Sequence, residues 1–121
     1  MELEFTAFLE GCEDIVSYAK NYMAVGFIID YVNTSGDISN YIPDFLVKKD
    51  EEQVFIIKTK GLEDLDVPLK MERLKQWCED VNGQQSVVTY DFVFVDQESF
   101  ERYKPESFKE LVANFRQYKG D

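Results

Sequence analysis

The chain opens with apolar residues at three- and four-residue spacing. Phe5, Phe8, Leu9, Cys12, Val16 and Ala19 fall on one side of a helical repeat, which predicts an amphipathic helix over residues 2–22. The next stretch, "MAVGFIIDYV" (residues 23–32), is dense in β-branched and aromatic residues and predicts a strand. "NTSGDIS" predicts a hairpin loop in which Gly36 is free to take a positive φ. A return strand is expected over residues 41–48, with Pro43 marking an edge position, a bulge or the strand's start. "KDEE" turns the chain into a third strand at residues 53–59. After an acidic loop, "LEDLD", Pro68 is suited to start a helix and Asn82-Gly83 to stop it. Its apolar stripe is Met71, Leu74, Cys78 and Val81. "SVVTYDFVFV" (residues 86–95) is apolar enough for a central strand covered on both faces. Two short helices are expected at 97–103 and 105–117. The order is helix, three strands, helix, strand, helices: an α/β sandwich around a mixed sheet.

Composition narrows this frame. A chain of 121 residues makes one domain with a single core. An apolar fraction of 45%, with 15% aromatic residues, argues for a packed globule. No apolar run reaches membrane-spanning length, and the start, MELEFTAFLEGCED, is too acidic for a signal peptide. A cytoplasmic protein with no membrane contact is therefore expected. Cys12 and Cys78 each fall in a helical pattern and read as small core residues of a reduced protein. With no histidine, Ser/His and Cys/His nucleophiles and imidazole zinc sites are excluded. A net charge of −11 disfavours a free-standing nucleic-acid binder, because affinity for phosphates comes mainly from Lys and Arg. Yet seven of the 13 basic residues fall between Lys48 and Lys75. An acidic body with one less acidic stretch suits a domain whose DNA is delivered by a larger partner.

That stretch holds the candidate chemistry, "YIPDFLVKKDEEQVFIIKTKG" (residues 41–61). On a strand, residues i and i+2 share a face, so Lys58 and Lys60 project together. Asp44, on the neighbouring strand of a hairpin, can reach the same place. A metal-dependent nuclease of this design takes one acid from each strand to hold Mg²⁺, which keeps waters and accepts the scissile phosphate. A lysine two residues on orients the attacking water and stabilises charge building on the phosphate. On spacing alone, Pro-Asp at a strand start and lysines at a strand end are a weak signal and fit ordinary solvated strand ends better.

Four segments extend the pattern: "ELEFTAFLEGCEDIVSYAKN", "GFIIDYVNTSGDISNYIPDFLVKK", "KTKGLEDLDVPLK" and "RLKQWCEDVN". Together, from Glu2 to Asn82, they resemble the C-terminal endonuclease domain of the restriction (Res) subunit of type III restriction enzymes. That domain is a member of the PD-(D/E)xK nuclease superfamily. The resemblance implies a restriction-endonuclease-like core (α-β-β-β-α-β, then C-terminal helices) at the C-terminal part of a longer protein. It implies Mg²⁺ as the cofactor, and ATP acting only through a motor domain that this chain does not contain. Implied partners are double-stranded DNA, the motor domain of the same parent chain and a modification (methyltransferase) subunit. Asp44 is similar to the family's first metal ligand, Lys60 to its catalytic lysine and Glu2 to a glutamate supporting the metal; Glu4 is a weaker counterpart. Lys70, Arg73 and Trp77 match the following helix, and Lys70 and Arg73 are the implied DNA contacts.

Lys58 departs from the pattern, standing where the family carries its second metal-binding carboxylate. At ~4 Å and an effective dielectric near 20, repulsion between this ammonium and Mg²⁺ is roughly 8 kcal/mol before relaxation. The expectation is an endonuclease module impaired at position 58, or a catalytically inactive relative that binds DNA or a subunit; an unrelated acidic α/β interaction domain is the third reading. Glu2 fits a helix N-terminus equally well, Lys70 and Arg73 fit a solvated face, and Trp77 and Tyr90 fit a core. Lys58 or Lys60 is expected within salt-bridge distance of Asp44. In an open cleft such a pair contributes roughly 0 to 1 kcal/mol.

Overall fold

The computed structural model describes residues 2–20, 29–41, 44–60, 67–84 and 87–117; at Glu2, Ile29, Asn40, Tyr41 and Lys60 it describes the backbone alone. The elements in chain order are α1 (Glu2–Gly11), β1 (Ser17–Lys20), β2 (Ile29–Val32), β3 (Ile38–Tyr41), β4 (Phe45–Asp50) and β5 (Gln53–Lys60). After these come α2 (Val67–Gln84), β6 (Thr89–Asp96), α3 (Gln97–Tyr103) and α4 (Phe108–Asn114). The fold is mixed α/β. Four strands form one sheet in the order β1-β4-β5-β6, and β2 and β3 form a separate hairpin. β1 and β5 run antiparallel to β4, whereas β6 runs parallel to β5. The parallel pair needs a crossover, and α2 supplies it.

Alternation along the strands divides the interior into two layers. Phe45, Val47, Phe55, Ile57, Val93 and Val95 face one way, where Phe5 and Leu9 of α1 and Phe108 and Leu111 of α4 cover them. Ile56, Phe92 and Phe94 face the other way and meet Val67, Met71, Leu74 and Cys78 of α2. Both faces of β5 and β6 are thus covered, which is why their sequences are nearly continuous in apolar residues. Tyr31 of the hairpin joins the α2 layer.

Several boundaries differ from expectation; the last helix, expected at 105–117, is shorter at Phe108–Asn114, and the strand expected at 86–95 is Thr89–Asp96. The helix expected over residues 2–22 ends at Gly11, and Ser17–Lys20 is a strand. Tyr18 packs against the α1 layer from the edge of the sheet, while Val16 is exposed, so the helical spacing beyond Cys12 was coincidental. Pairing with β4 decides this segment. The return strand expected at 41–48 is divided: Ile38–Tyr41 pairs with β2, and Phe45–Asp50 belongs to the main sheet. Pro43 and most of the strand expected at 23–32 lie outside the described residues. The hairpin loop is as expected, with Gly36 at φ 86°. The Asn33 side chain accepts from the N–H groups of Ser35 and Asp37 and fixes the turn.

α2 starts beside Pro68 but continues through Asn82-Gly83 to Gln84. Asn82 stays helical because its side-chain amide is used elsewhere. It donates to the Tyr90 carbonyl and accepts from the Tyr90 N–H, both at 2.8 Å, as a neighbouring strand would. A second long-range tie holds α4. The Asp14 carboxylate accepts from the N–H groups of Phe108 and Lys109 at 3.0 and 2.9 Å, and Ser107 accepts from Glu110 N–H. Burial pushes the Asp14 carboxyl up, but those N–H groups, its own N–H and the Lys49 charge outweigh it and leave the pKa below its ordinary value.

Candidate functional site

The β4–β5 hairpin brings the candidate residues together at one corner of the sheet. Asp44 precedes β4, and its N–H donates to the Ile57 carbonyl at 3.0 Å. With Phe45 opposite Ile57, the register sets Asp44 beside Lys58 and Thr59. Here the Asp44 side chain joins the pairing between the two strands. Its Oδ2 accepts from the Thr59 N–H at 2.8 Å and from Thr59 Oγ1 at 3.3 Å. The carboxylate therefore extends the ladder by one rung beyond the end of β4. Thr59 is buried, which makes that acceptor important, because a buried N–H without one is destabilising. The Thr59 role was not read from the sequence, although an Asp before one strand and a Thr at the end of its neighbour is a usable signal.

Lys58 Nζ lies 3.5 Å from the same Asp44 Oδ2. The expected ion pair is present, but the expected open cleft is not: the two side chains are only 14% and 15% exposed. By alternation Lys58 shares the face of Ile56, the side covered by α2. Partial burial raises both the Coulombic attraction and the desolvation cost relative to a surface pair.

The remaining candidates divide. Lys60 closes β5 opposite Asp96 in the parallel register, but its side chain lies outside the described residues. Asp96 itself caps α3 by accepting from Ser99 N–H at 3.0 Å. Glu2 opens α1, which packs on the face of the sheet opposite α2, and its side chain also lies outside the described residues. Lys70 and Arg73 are turned to the β2–β3 hairpin. Lys70 Nζ sits 5.7 Å from the centre of the Tyr31 ring, and Arg73 Nε donates to the Asp30 carbonyl at 3.2 Å. Both fasten the hairpin to α2. Arg73 also lines a groove of about 290 Å³ with Tyr31, Val32, Leu69, Glu72 and Gln76. Trp77 packs edge-on against Tyr90, with ring centres 5.4 Å apart, at the margin of the α2 layer.

Mg²⁺ demands near-octahedral oxygen ligation, with carboxylates supplying charge. Here one carboxylate oxygen already takes two hydrogen bonds and faces an ammonium. No group of three or more Cys, Asp or Glu side chains is arranged to hold a metal among the described residues. The described donor set does not fit a divalent cation. Cys78 is buried, and burial, with the Asp14 charge, pushes the Cys12 thiol up to about 11.

Among the described residues no helix is long and apolar enough to cross a membrane. No protein-family model matches the chain, and neither the curated proteins nor the solved structures contain a match.

Proposed function

We propose that the chain is a nuclease-type module of an ATP-dependent type III restriction enzyme, with a restriction-endonuclease-like core and a cleavage site impaired by Lys58. One observation carries the reading. The residue resembling the first metal ligand, Asp44, meets the end of β5 where the second ligand belongs, and a lysine is found there, 3.5 Å from Asp44 Oδ2. The meander β1-β4-β5, the α2 crossover and the parallel β6 are compatible with such a core.

In this reading the metal, where a family member binds one, supplies charge stabilisation and an activated water. This chain's residues do something else. Lys58 neutralises Asp44, and Asp44 holds Thr59. With a net charge of −11, duplex DNA must be brought by the motor domain of the parent chain rather than captured by this domain. The Asp44–Lys58 pair also favours a second reading, in which the module serves only to bind DNA or a subunit.

Supercoiled plasmid incubated with Mg²⁺ or Mn²⁺ separates these. The unaltered chain is expected to leave the plasmid intact. At low salt and a chain concentration high enough to replace delivery by the motor domain, Lys58→Glu is expected to acquire Mn²⁺-dependent nicking that a further Asp44→Ala change abolishes. Nicking by the unaltered chain overturns the impairment, and nicking by Lys58→Glu that survives Asp44→Ala overturns the site assignment.

A further inference from the structure

We infer that the Lys58 ammonium is the resident cation of this corner, doing the structural work that a divalent ion would do in a metal-binding version of the site. The comparison with a metal rests on the nuclease-type reading; the role of the ammonium rests on the geometry alone. Asp44 Oδ2 collects the Thr59 N–H at 2.8 Å, the Thr59 hydroxyl at 3.3 Å and the Lys58 charge at 3.5 Å. Burial to 15% exposure carries a desolvation cost for the Asp44 carboxylate, which the adjacent ammonium offsets. An ammonium has one charge and three donors, and here it is tethered to the strand that the carboxylate supports.

The tether has two consequences. First, the corner is complete as the chain folds, so its stability is independent of any dissolved metal. Second, an incoming divalent ion would have to displace a covalently attached competitor whose local concentration is fixed by the fold. A cation with the Lys58 side chain's reach therefore excludes the metal by occupation as well as by repulsion.

Thermal unfolding of the whole chain in EDTA and in Mn²⁺ tests this, using the unaltered protein, Lys58→Met, Lys58→Glu and Asp44→Ala. Methionine keeps an unbranched stem and removes the charge. The unaltered chain is expected to melt at the same temperature in both solutions. Lys58→Met is expected to melt lower by about 5 to 10 °C, equally in both. Lys58→Glu is expected to melt lower still in EDTA and to recover several degrees in Mn²⁺. A Lys58→Met midpoint equal to that of the unaltered chain overturns the inference, whatever Lys58→Glu does. So does a Mn²⁺-induced rise in the unaltered chain that Asp44→Ala removes. If Lys58→Met is destabilised but Lys58→Glu ignores Mn²⁺, the inference stands and the nuclease-type reading of the corner fails.

Discussion

Replacing Asp44 with alanine removes at least three interactions, whose sizes can be worked out separately. The Thr59 N–H, held at 2.8 Å on a residue that is 5% exposed, loses its acceptor; an orphaned buried donor costs about 1–3 kcal/mol. The Lys58 ammonium loses its carboxylate. At 3.5 Å and an effective dielectric of 20, that attraction is about 5 kcal/mol before desolvation is subtracted. Desolvating two side chains that keep only 14% and 15% exposure offsets much of it. Thr59 Oγ1 loses a longer bond, at 3.3 Å, worth less. The terms do not add, because all three meet at one oxygen. A net loss of about 3 kcal/mol is expected, or roughly 10 °C in Tm for a domain of this size. Asp44→Asn keeps an acceptor for the Thr59 N–H and removes the charge, so it should cost about half as much. Urea unfolding monitored by the Trp77 fluorescence gives both numbers. An Asp44→Ala chain within about 0.5 kcal/mol of the unaltered one would refute the reasoning, because it would mean that water replaces the carboxylate without penalty.

Asp14→Ala should remove about 1 kcal/mol by taking the acceptor from the Phe108 and Lys109 N–H groups at the start of α4. Because the Asp14 pKa is lowered on folding, its contribution is fully present above the unfolded carboxylate value of about 3.9 and is lost as pH falls through the folded value. The difference between the two proteins in urea should therefore shrink between pH 7 and pH 3. Asn82→Ala should cost about 1–2 kcal/mol by freeing both Tyr90 backbone groups; urea unfolding measures the loss, and light scattering should detect association through the uncovered edge of β6. Tyr31→Ala should release the hairpin locally, so that amide exchange accelerates across residues 29–41 while β5 and β6 keep their protection.

The parts of the fold legible in the sequence are those whose pattern and environment agree. Of the expected α2 stripe, Met71, Leu74 and Cys78 are buried as the spacing requires, while Val81 is half-buried. β5 and β6 are apolar on both sides because helices cover both. α3 matches residue for residue because Asp96 caps it. What the pattern concealed was decided by pairing between distant segments. Ser17–Lys20 continues a helical spacing yet becomes an edge strand because β4 offers it a partner. The single return strand divides because Ile38–Tyr41 and Phe45–Asp50 find different neighbours. At the site, the sequence supplied the meeting of Asp44 with Lys58 but not its depth. Nothing in "PDF" or "KTKG" reports that the pair is mostly covered, since that depends on how α2 lies over the sheet. Nor could it show that Lys70 and Arg73 serve the hairpin, because Tyr31 and the Asp30 carbonyl are brought to α2 only by folding.

On the proposed reading, the Lys58 ammonium occupies the place beside Asp44 that a carboxylate and its metal would take. Titration calorimetry with Mn²⁺ on the unaltered chain, on Lys58→Glu and on Lys58→Glu combined with Asp44→Ala tests it most directly. The account predicts one saturable site in Lys58→Glu and none in the other two. One site of equal affinity in the unaltered chain and in Lys58→Glu would contradict it, because position 58 would then have no part in deciding whether a metal binds.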